Sequence, residues 1–495
     1  MDGERALNVN EALAAVRILQ AKLQSQIPAL VKADTYYNGT QPLQFLAPEV
    51  RAQVGNRLTS LVINWPRVIA DSVSRRSAVE GFRLGRAGDA DEDLRALWEL
   101  NDLGEWHQMA NTDSLVHARS YLSVGPNEEA PDVPRIMVES AHQIAVEYSP
   151  GTRRLRRVLK MWSDGPISYA TLYEPTETWR FQAANADVFG GLGSDWKLRA
   201  DPESQPLGVV PFAPLVNRPR VLNLDGESEL TDVMPLADAI NKMATDLMVG
   251  AEFSAMPRRW ATGIAIPSGP DRERLQAEVS EYWDQATKDK TWLAGTGVQF
   301  GQFSEASLDN FIGGIKLLTS QVAAIGGLPP DDLGLNTTNP ASAEARRAAE
   351  TTLIGRVEEK HRYWSGGYER AMQMATALQF EIPFADLPRE YRQMETIWRD
   401  PATPNVAQAM DAALKGTQAG VYDIVQAQET VGLSPAQREA IKARAEEASA
   451  NAATADVEAR MVLARRLQSE DGLSLNASLA AVGLLQAAAA NATAP

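Results

Sequence analysis

Cysteine is absent from all 495 residues, so neither a disulfide framework nor thiolate chemistry is open to this chain, and the redox compartment cannot be read from composition. Histidine is nearly as scarce. The four present, His107, His117, His142 and His361, show no H-x-x-x-H or comparable ligand spacing, which argues against a metal site. Cations are in deficit: 48 Lys and Arg against 64 Asp and Glu leave a formal charge of −16. That balance opposes a general role in gripping nucleic acid, because such grip comes from cations that displace counterions from phosphates. It does not oppose a protein past which nucleic acid slides. No apolar run approaches the ~20 residues of a membrane-spanning helix, so no membrane association is expected. The start, Met1-Asp2-Gly3-Glu4-Arg5, leads into an amphipathic stretch rather than a signal peptide. What remains is 44% hydrophobic and 23% charged, the composition of a folded soluble protein. The length exceeds one core and implies about two to four domains.

The most organised stretch runs from Ser304 to Leu378. Leu308, Phe311, Ile312, Ile315, Leu318, Val322 and Ile325 recur at helical spacing, and Gly326-Gly327 with Leu328-Pro329-Pro330 stops the helix. A polar loop follows, Asp331 to Asn339. Asn339 is a good N-cap and Pro340 a good first helical residue, so a second helix is expected to open at Pro340 or Ala341. Its apolar positions, among them Ile354, Val357, Trp364, Tyr368, Ala371, Ala375 and Leu378, keep the period over roughly ten turns, or ~57 Å at 1.5 Å per residue. Gly355 and Gly366-Gly367 are the expected sites of any bend.

Before this stretch the chain is mainly helical to about residue 120. The spacing predicts helices over Asn10–Val31, ending near Pro28 with a turn at Tyr36-Tyr37-Asn38-Gly39, over Arg57–Val79 with a break at Asn64-Trp65-Pro66, and over Asp91–Leu122. From Pro134 to Asn217 short β-rich runs alternate with turns: Arg135–Glu139, Ile144–Tyr148, Leu155–Trp162, Tyr169–Tyr173 and Thr178–Gln182, bounded by the proline-rich Pro206–Pro219. An amphipathic helix then spans Glu229–Phe253, with Pro235 at its first turn or at a kink. The insert before Ser304 holds a strand-like Trp260–Ile266, a charged helix Asp271–Lys288, and strand-like Lys290–Leu293 and Val298–Phe303. Two helices joined by a small mixed module make a stalk with a tip. After Phe380 come a returning strand at Met394–Arg399, helices over Val406–Thr417, Tyr422–Val431 and Pro435–Gln468, and an alanine-rich tail.

Motifs that carry chemistry are nearly absent. Asp89, Asp91 and Asp93 alternate as in a calcium loop, but Leu94 and Leu100 stand where glycine and glutamate belong. Gly190-Gly191-Leu192-Gly193 lacks the strand, helix and Gly-Lys-Ser/Thr of a phosphate loop. Asp331-Asp332 follows two prolines, as loop or helix-start acids do. Arg153, Arg154, Arg156 and Arg157 beside a hairpin turn would touch phosphates, meet an acidic neighbouring subunit, or simply charge a solvated hairpin edge. No cofactor motif and no catalytic set is found, so an enzyme is not expected. A nuclease would need clustered carboxylates or histidines to hold metal ions.

Gly226-Glu227-Ser228-Glu229-Leu230, Pro235-Leu236-Ala237-Asp238-Ala239-Ile240-Asn241-Lys242 and Ala255-Met256-Pro257-Arg258-Arg259-Trp260 resemble the portal proteins of long, non-contractile-tailed bacteriophages. So do Ala324-Ile325-Gly326-Gly327-Leu328-Pro329-Pro330, Asn339-Pro340-Ala341-Ser342-Ala343-Glu344-Ala345, Tyr36-Tyr37-Asn38-Gly39, and Trp398-Arg399-Asp400-Pro401 with Asp411-Ala412-Ala413-Leu414-Lys415. The resemblance spans about Tyr36 to Val431, and it is the order of the pieces that makes it specific.

The resemblance implies an α+β, mainly α fold with wing, stem, clip and crown, a long kinked helix, and small β modules in wing and clip. Residues 1–225 would form most of the wing, 226–255 the first stem helix, 256–303 the clip, 304–326 the second stem helix, 327–340 the tunnel loop, 341–405 the long helix and returning wing strand, and 406–495 the crown and tail. It implies a homo-oligomeric ring, typically of twelve subunits, set at one capsid vertex of the virion after assembly in the host cytoplasm. Double-stranded DNA would be packaged and ejected through it. Leu335, Asn336, Thr337, Thr338 and Asn339 would face that DNA. Arg346 and Arg347 would reach its phosphates or pair with Glu344 and Glu350 along the helix. Arg258, Arg259, Trp260 and Trp292 in the clip would meet the terminase large subunit and later the head-completion adaptor, and the major capsid protein would surround the ring. Another capsid or tail adaptor, without a DNA channel, would share the lack of chemistry but not need the stem, clip and stem order.

Overall fold

The computed structural model of the chain describes residues 7–42, 61–85, 90–184, 195–255, 259–262, 273–274, 276–277, 280–281, 297, 299–302, 308–335, 343–402, 406–433, 435–470 and 474–483. Helix α1 (Val9–Asn38) opens on a capping box, with the Asn8 side chain accepting from Glu11 N and the Glu11 carboxylate accepting from Asn8 N. The periodicity alone predicts an end near Pro28 and a turn at Tyr36. Instead the helix runs through Pro28 and closes on Gly39 at φ 69°. Pro28 faces solvent, while Leu30, Ala33 and Tyr36 prolong the buried stripe, so tertiary packing carries the helix past the missing N–H.

Helix α2 (Trp65–Ser74) is capped by the Asn64 side chain with Pro66 in its first turn. The helix stops at Ser74, short of the expected Val79, where strand β1 (Val79–Arg83) begins. Two helices follow, α3 (Glu92–Leu100) and α4 (Leu103–His117), and Ala118 at φ 71° ends the second. Helix was expected through Leu122, but β2 (Arg119–Gly125) begins here, because Tyr121, Leu122 and Val124 are buried in the middle strand of a sheet.

The β-rich region forms as its turns and alternation predict: β3 (Arg135–Ser140), β4 (Ile144–Tyr148), β5 (Leu155–Asp164), β6 (Ile167–Tyr173) and β7 (Glu177–Ala184). Short β8 (Lys197–Leu198) and β9 (Glu203–Ser204) both pair with β7. The proline-rich boundary contains a further strand, β10 (Phe212–Val216), which joins β2 and β3 in an antiparallel sheet ordered β10-β2-β3. Strands β4 to β8 form an antiparallel meander. One stripe of α1, Ala12, Val16, Leu19 and Leu23, shares a core with Leu159, Met161, Leu172, Trp179 and Phe181 of that meander.

Helix α5 (Met234–Ala255), strands β11 (Arg259–Thr262) and β12 (Gln299–Gln302), and helix α6 (Asp309–Gly326) follow in order. The α5 boundary differs from the expected Glu229 start, and Pro235 lies in its first turn. Residues 273–274, 276–277 and 280–281 are helical, in agreement with the charged helix, whereas Lys290–Leu293 lies outside the described residues. Helix α7 (Ala343–Gln379) is described from Ala343, so its expected opening at Pro340 or Ala341 is outside them too. The chain continues through α8 (Arg389–Arg392), β13 (Glu395–Trp398), α9 (Val406–Gln418), α10 (Ile424–Thr430), α11 (Pro435–Glu470) and α12 (Leu475–Ala481). Strand β13 returns to pair antiparallel with β1. Among the described residues no helix is long and apolar enough to cross a membrane.

Helix α7 is the centre of the main core. Trp364 Nε1 donates to Ser114 Oγ at 3.0 Å, Tyr368 OH donates to Asn111 Oδ1 at 2.8 Å, and His361 stacks on Trp398 with ring centroids 4.2 Å apart. Gly366-Gly367, a candidate bend, lies inside an uninterrupted helix, and Gly367 has a packing role. A Cβ there would sit 2.5 Å from Leu215 Cδ2 and 2.7 Å from the Pro214 carbonyl oxygen of β10, while one at Gly366 would meet open space. Gly367→Ala is therefore expected to cost about 1–3 kcal/mol through overpacking, and Gly366→Ala to be neutral or to stabilise by up to ~1 kcal/mol. Thermal melts of the two variants test this; equal melting temperatures would refute the packing role.

Candidate functional site

Helices α5 and α6 lie side by side in opposite directions. Gly250 faces Leu308 and Gly314 faces Met243, and the lack of side chains at these glycines lets the helices approach closely. At one end they carry β11 and β12, paired antiparallel with Trp260 opposite Gly301. Trp260 is 37% exposed, and a Cβ on Gly301 would fall 2.2 Å from its indole, so the ring lies across a position that must have no side chain.

At the other end α6 closes on Gly327 at φ 64°, with Leu328 N donating to Ala323 O at 2.9 Å. A short 3-10 helix, Pro330–Leu333, exposes Asp331 and Asp332 and buries Leu333. Gly334 at φ 70° turns the chain towards Leu335, which packs against the main core. From Leu328 to Ala345 there is no lysine or arginine. Beyond this connection Arg76 pairs with Glu350 at 3.6 Å and donates to Pro401 O at 2.9 Å, which ties the first half of α7 to the end of α2.

One buried carboxylate gathers these ends. Glu229, just before α5, is fully buried and its N–H donates to Leu115 O at 2.8 Å. Its Oε1 accepts from Arg356 Nε at 2.5 Å, and its Oε2 accepts from Lys360 Nζ at 2.9 Å and Asn217 Nδ2 at 3.1 Å and lies 3.3 Å from Arg218 Nε. Arg356 also donates to Ile325 O at 2.6 Å. Thus the exit of β10, the entry to α5, the last turn of α6 and the body of α7 meet at one charge. Burial alone would raise the Glu229 pKa, but the cations of Arg356, Lys360 and Arg218 overcome it and hold the carboxyl at about 2. Burial pushes Lys360 below its ordinary value, and Glu229 opposes that shift.

Of the expected site residues, Leu335 anchors the connection. Asn336, Thr337, Thr338 and Asn339 lie outside the described residues, as do Arg258, Trp292 and the side chains of Arg259, Arg346 and Arg347. The basic hairpin cluster divides: Arg156 pairs with Glu147 at 3.3 Å, and Arg157 bonds Glu174 at 2.5 Å. Those two cations therefore serve their own sheet. Asp91 is the N-cap of α3, accepting from Leu94 N at 3.0 Å, and Asp89 and Gly190–Gly193 lie outside the described residues. His107 and His361 are core residues, and burial lowers the pKa of both, His361 to about 4. His117 and His142, which linear spacing does not connect, meet around Asp34. Sequence reasoning also missed the Glu229 cluster, because its members are scattered and nothing local marks Glu229 as buried.

A family described as phage portal protein, SPP1 Gp6-like, matches residues 17–451. The chain is similar to the portal protein of Mycobacterium phage D29, 35% identical over 429 residues that cover 84% of this chain and 85% of that one. It is also similar to the portal protein of Mycobacterium phage L5, 34% identical over 434 residues covering 85% and 86%. Among solved structures it is similar to a chain in the neck of a native GTA particle computed with C12 symmetry, at 15% identity and a TM-score of 0.41 over 74% of this chain and 88% of that one. A chain in the neck of an empty GTA particle computed with C6 symmetry gives 15% identity and a TM-score of 0.44 over 79% and 95%.

Glu229→Gln should destabilise by about 3–5 kcal/mol, since it leaves buried cations without their counter-charge. Because the folded pKa is depressed, the stabilisation from Glu229 is fully present above the ordinary value of 4.5 and is lost as pH falls through about 2. Melting temperatures recorded from pH 6 down to pH 2 should fall more steeply in the parent protein than in Glu229→Gln. Parallel curves would contradict the ionised, buried carboxylate.

Proposed function

The chain belongs to the SPP1 Gp6-like family of phage portal proteins, and from that premise we propose that its copies close into a ring-shaped channel, typically of twelve subunits, at one capsid vertex. Double-stranded DNA enters the head through this channel during packaging and leaves through it at ejection. Residues 226–255 and 304–326 serve as the stem, 256–303 as the clip, 327–340 as the tunnel loop, 1–225 with 341–405 as the wing, and 406–495 as the crown and tail. The supporting observation is the antiparallel α5–α6 pair, with a β module at one end and a connection free of lysine and arginine at the other.

A channel must confine DNA without holding it. Each phosphate neutralised by a fixed cation releases counterions, and that favourable term would have to be undone at every step of translocation. A wall of Asn336, Thr337, Thr338 and Asn339 beside Leu335 supplies little such grip, and the overall charge of −16 works the same way. Arg346 and Arg347, past the loop, reach passing phosphates or pair along α7; Glu350, one of the acids within range, is engaged by Arg76. Assembly accounts for apolar surface that one chain leaves bare, including Leu317 and Ile312 on α6, Leu414 on α9 and Val462 on α11.

The protein's work in this scheme is structural and not enzymatic. Arg258, Arg259, Trp260 and Trp292 present the clip to the terminase large subunit during packaging and to the head-completion adaptor afterwards, and the major capsid protein encloses the ring. Assembly in the host cytoplasm precedes incorporation into the virion. Thr337→Lys would place one cation per subunit around the channel. It should slow or arrest DNA packaging in an in vitro packaging reaction while ring formation, followed by size-exclusion chromatography, is unchanged. Packaging at the parent rate would remove the low-grip argument for the loop.

A further inference from the structure

Among the described residues, one group of side chains outside the helix junction has the donor set of a metal centre: Asp34 on α1, His117 at the end of α4 and His142 in the turn between β3 and β4. Their ligand atoms all lie within 4.8 Å of one another. Asp34 Oδ1 is 2.7 Å from His117 Nε2, and Asp34 Oδ2 is 2.8 Å from His142 Nε2. The donors around a tetrahedral zinc ion, with bonds of about 2.0–2.2 Å, stand about 3.4 Å apart. Shifts of under about 1 Å would open the carboxylate contacts to that spacing.

Asp34 Oδ1 and His117 Nε2 are hydrogen-bonded, but several features separate this group from an ordinary hydrogen-bonded triad. His142 Nε2 lies at hydrogen-bonding distance from the carboxylate and yet, buried, forms no aligned hydrogen bond, so distance is present without direction. Donors that converge on a shared point are arranged in this way. The other ring nitrogen of His117, Nδ1, is buried without a hydrogen bond and lies 3.8 Å from the Asp113 carboxylate; a closure of about 1 Å would make Asp113 the outer partner of a metal-bound imidazole. Two carboxylates, Asp34 and Asp113, act on both rings, and the His117 ring itself acts on His142. Asp34 retains 36% side-chain exposure, which leaves a route in from solvent, the source of a water as fourth ligand.

We propose that Asp34, His117 and His142 bind one divalent cation of the zinc class per chain, stapling α1 to the α4–β2 corner and to the β3–β4 turn. Two imidazoles and one carboxylate match a borderline cation better than calcium or magnesium, which prefer all-oxygen shells. The site is structural: it joins three segments distant in sequence, one of which, two residues past Asp34, donates from Tyr36 OH to Asp238 of α5 at 2.7 Å. Protons compete for the same nitrogens, so uptake weakens as pH falls through the imidazole range.

The test uses full-length oligomer stripped with chelator, desalted, and titrated with zinc chloride alone by calorimetry, with bound metal counted by mass spectrometry. We expect one zinc per chain, a melting temperature that rises with zinc concentration, and loss of both in His142→Gln, whose folding is checked by its elution volume. Cobalt(II) added to the stripped parent protein should give the visible absorption of a four-coordinate site, a readout that needs no variant. No zinc uptake by the parent protein, equal uptake by His142→Gln, or a cobalt spectrum that stays that of the hydrated ion would each overturn the proposal.

Discussion

A buried charge must be matched or the fold that encloses it loses several kcal/mol, and the Glu229 carboxylate imposes that constraint on four parts of the chain at once. Its partners come from the loop after β10 and from α7, and one of them, Arg356, also holds the Ile325 carbonyl in the last turn of α6. Replacing such a network wholesale with apolar residues can be neutral in stability, so its value lies in the geometry it enforces. The α5–α6 pair can leave the main core at only one angle if the carboxylate is to keep its partners. The glycines between the two helices and the short turn at Gly327 extend that fixed direction along the pair and into the connection beyond it.

This rigidity suits the proposed role. A channel wall that yielded to each passing phosphate would register every step of the DNA, whereas a loop anchored by Leu333 and Leu335 on one side and by Glu350 with Arg76 on the other has fixed ends. The chemistry of the connection is permissive while its supports are stiff. Helix α7, whose tryptophan and tyrosine side chains are bonded into α4, joins those supports to the sheet region.

How much of this was legible in the sequence depended on how local the cause was. Strands β3–β7 were readable nearly to the residue, because each is a short run of β-favouring residues that ends at a turn signal. Helix α6 was readable from its apolar period and its Gly-Gly-Leu-Pro-Pro stop, and α9 and α11 were located nearly to their ends. Strands β1, β2 and β10 were not: β2 is buried on both faces, so it lacks alternation, and β10 lies among prolines whose missing N–H groups argue against a strand. Pro28 misled in the opposite direction, since the packing that overrides it involves a distant sheet. Gly367 reads as a bend in the sequence, whereas its close approach to Pro214 is what requires it. In the candidate site, the cation-free run from Leu328 to Ala345 could be read directly. The meeting of His117 with His142 and the burial of Glu229 exist only in three dimensions.

Electron cryomicroscopy of the assembled protein tests the central claim most directly, through the position of residues 336–339 relative to the symmetry axis. The account predicts annular particles in which this segment from every subunit lines a central passage wide enough for duplex DNA. A map in which it points outward to solvent, or in which no axial passage exists, would contradict it.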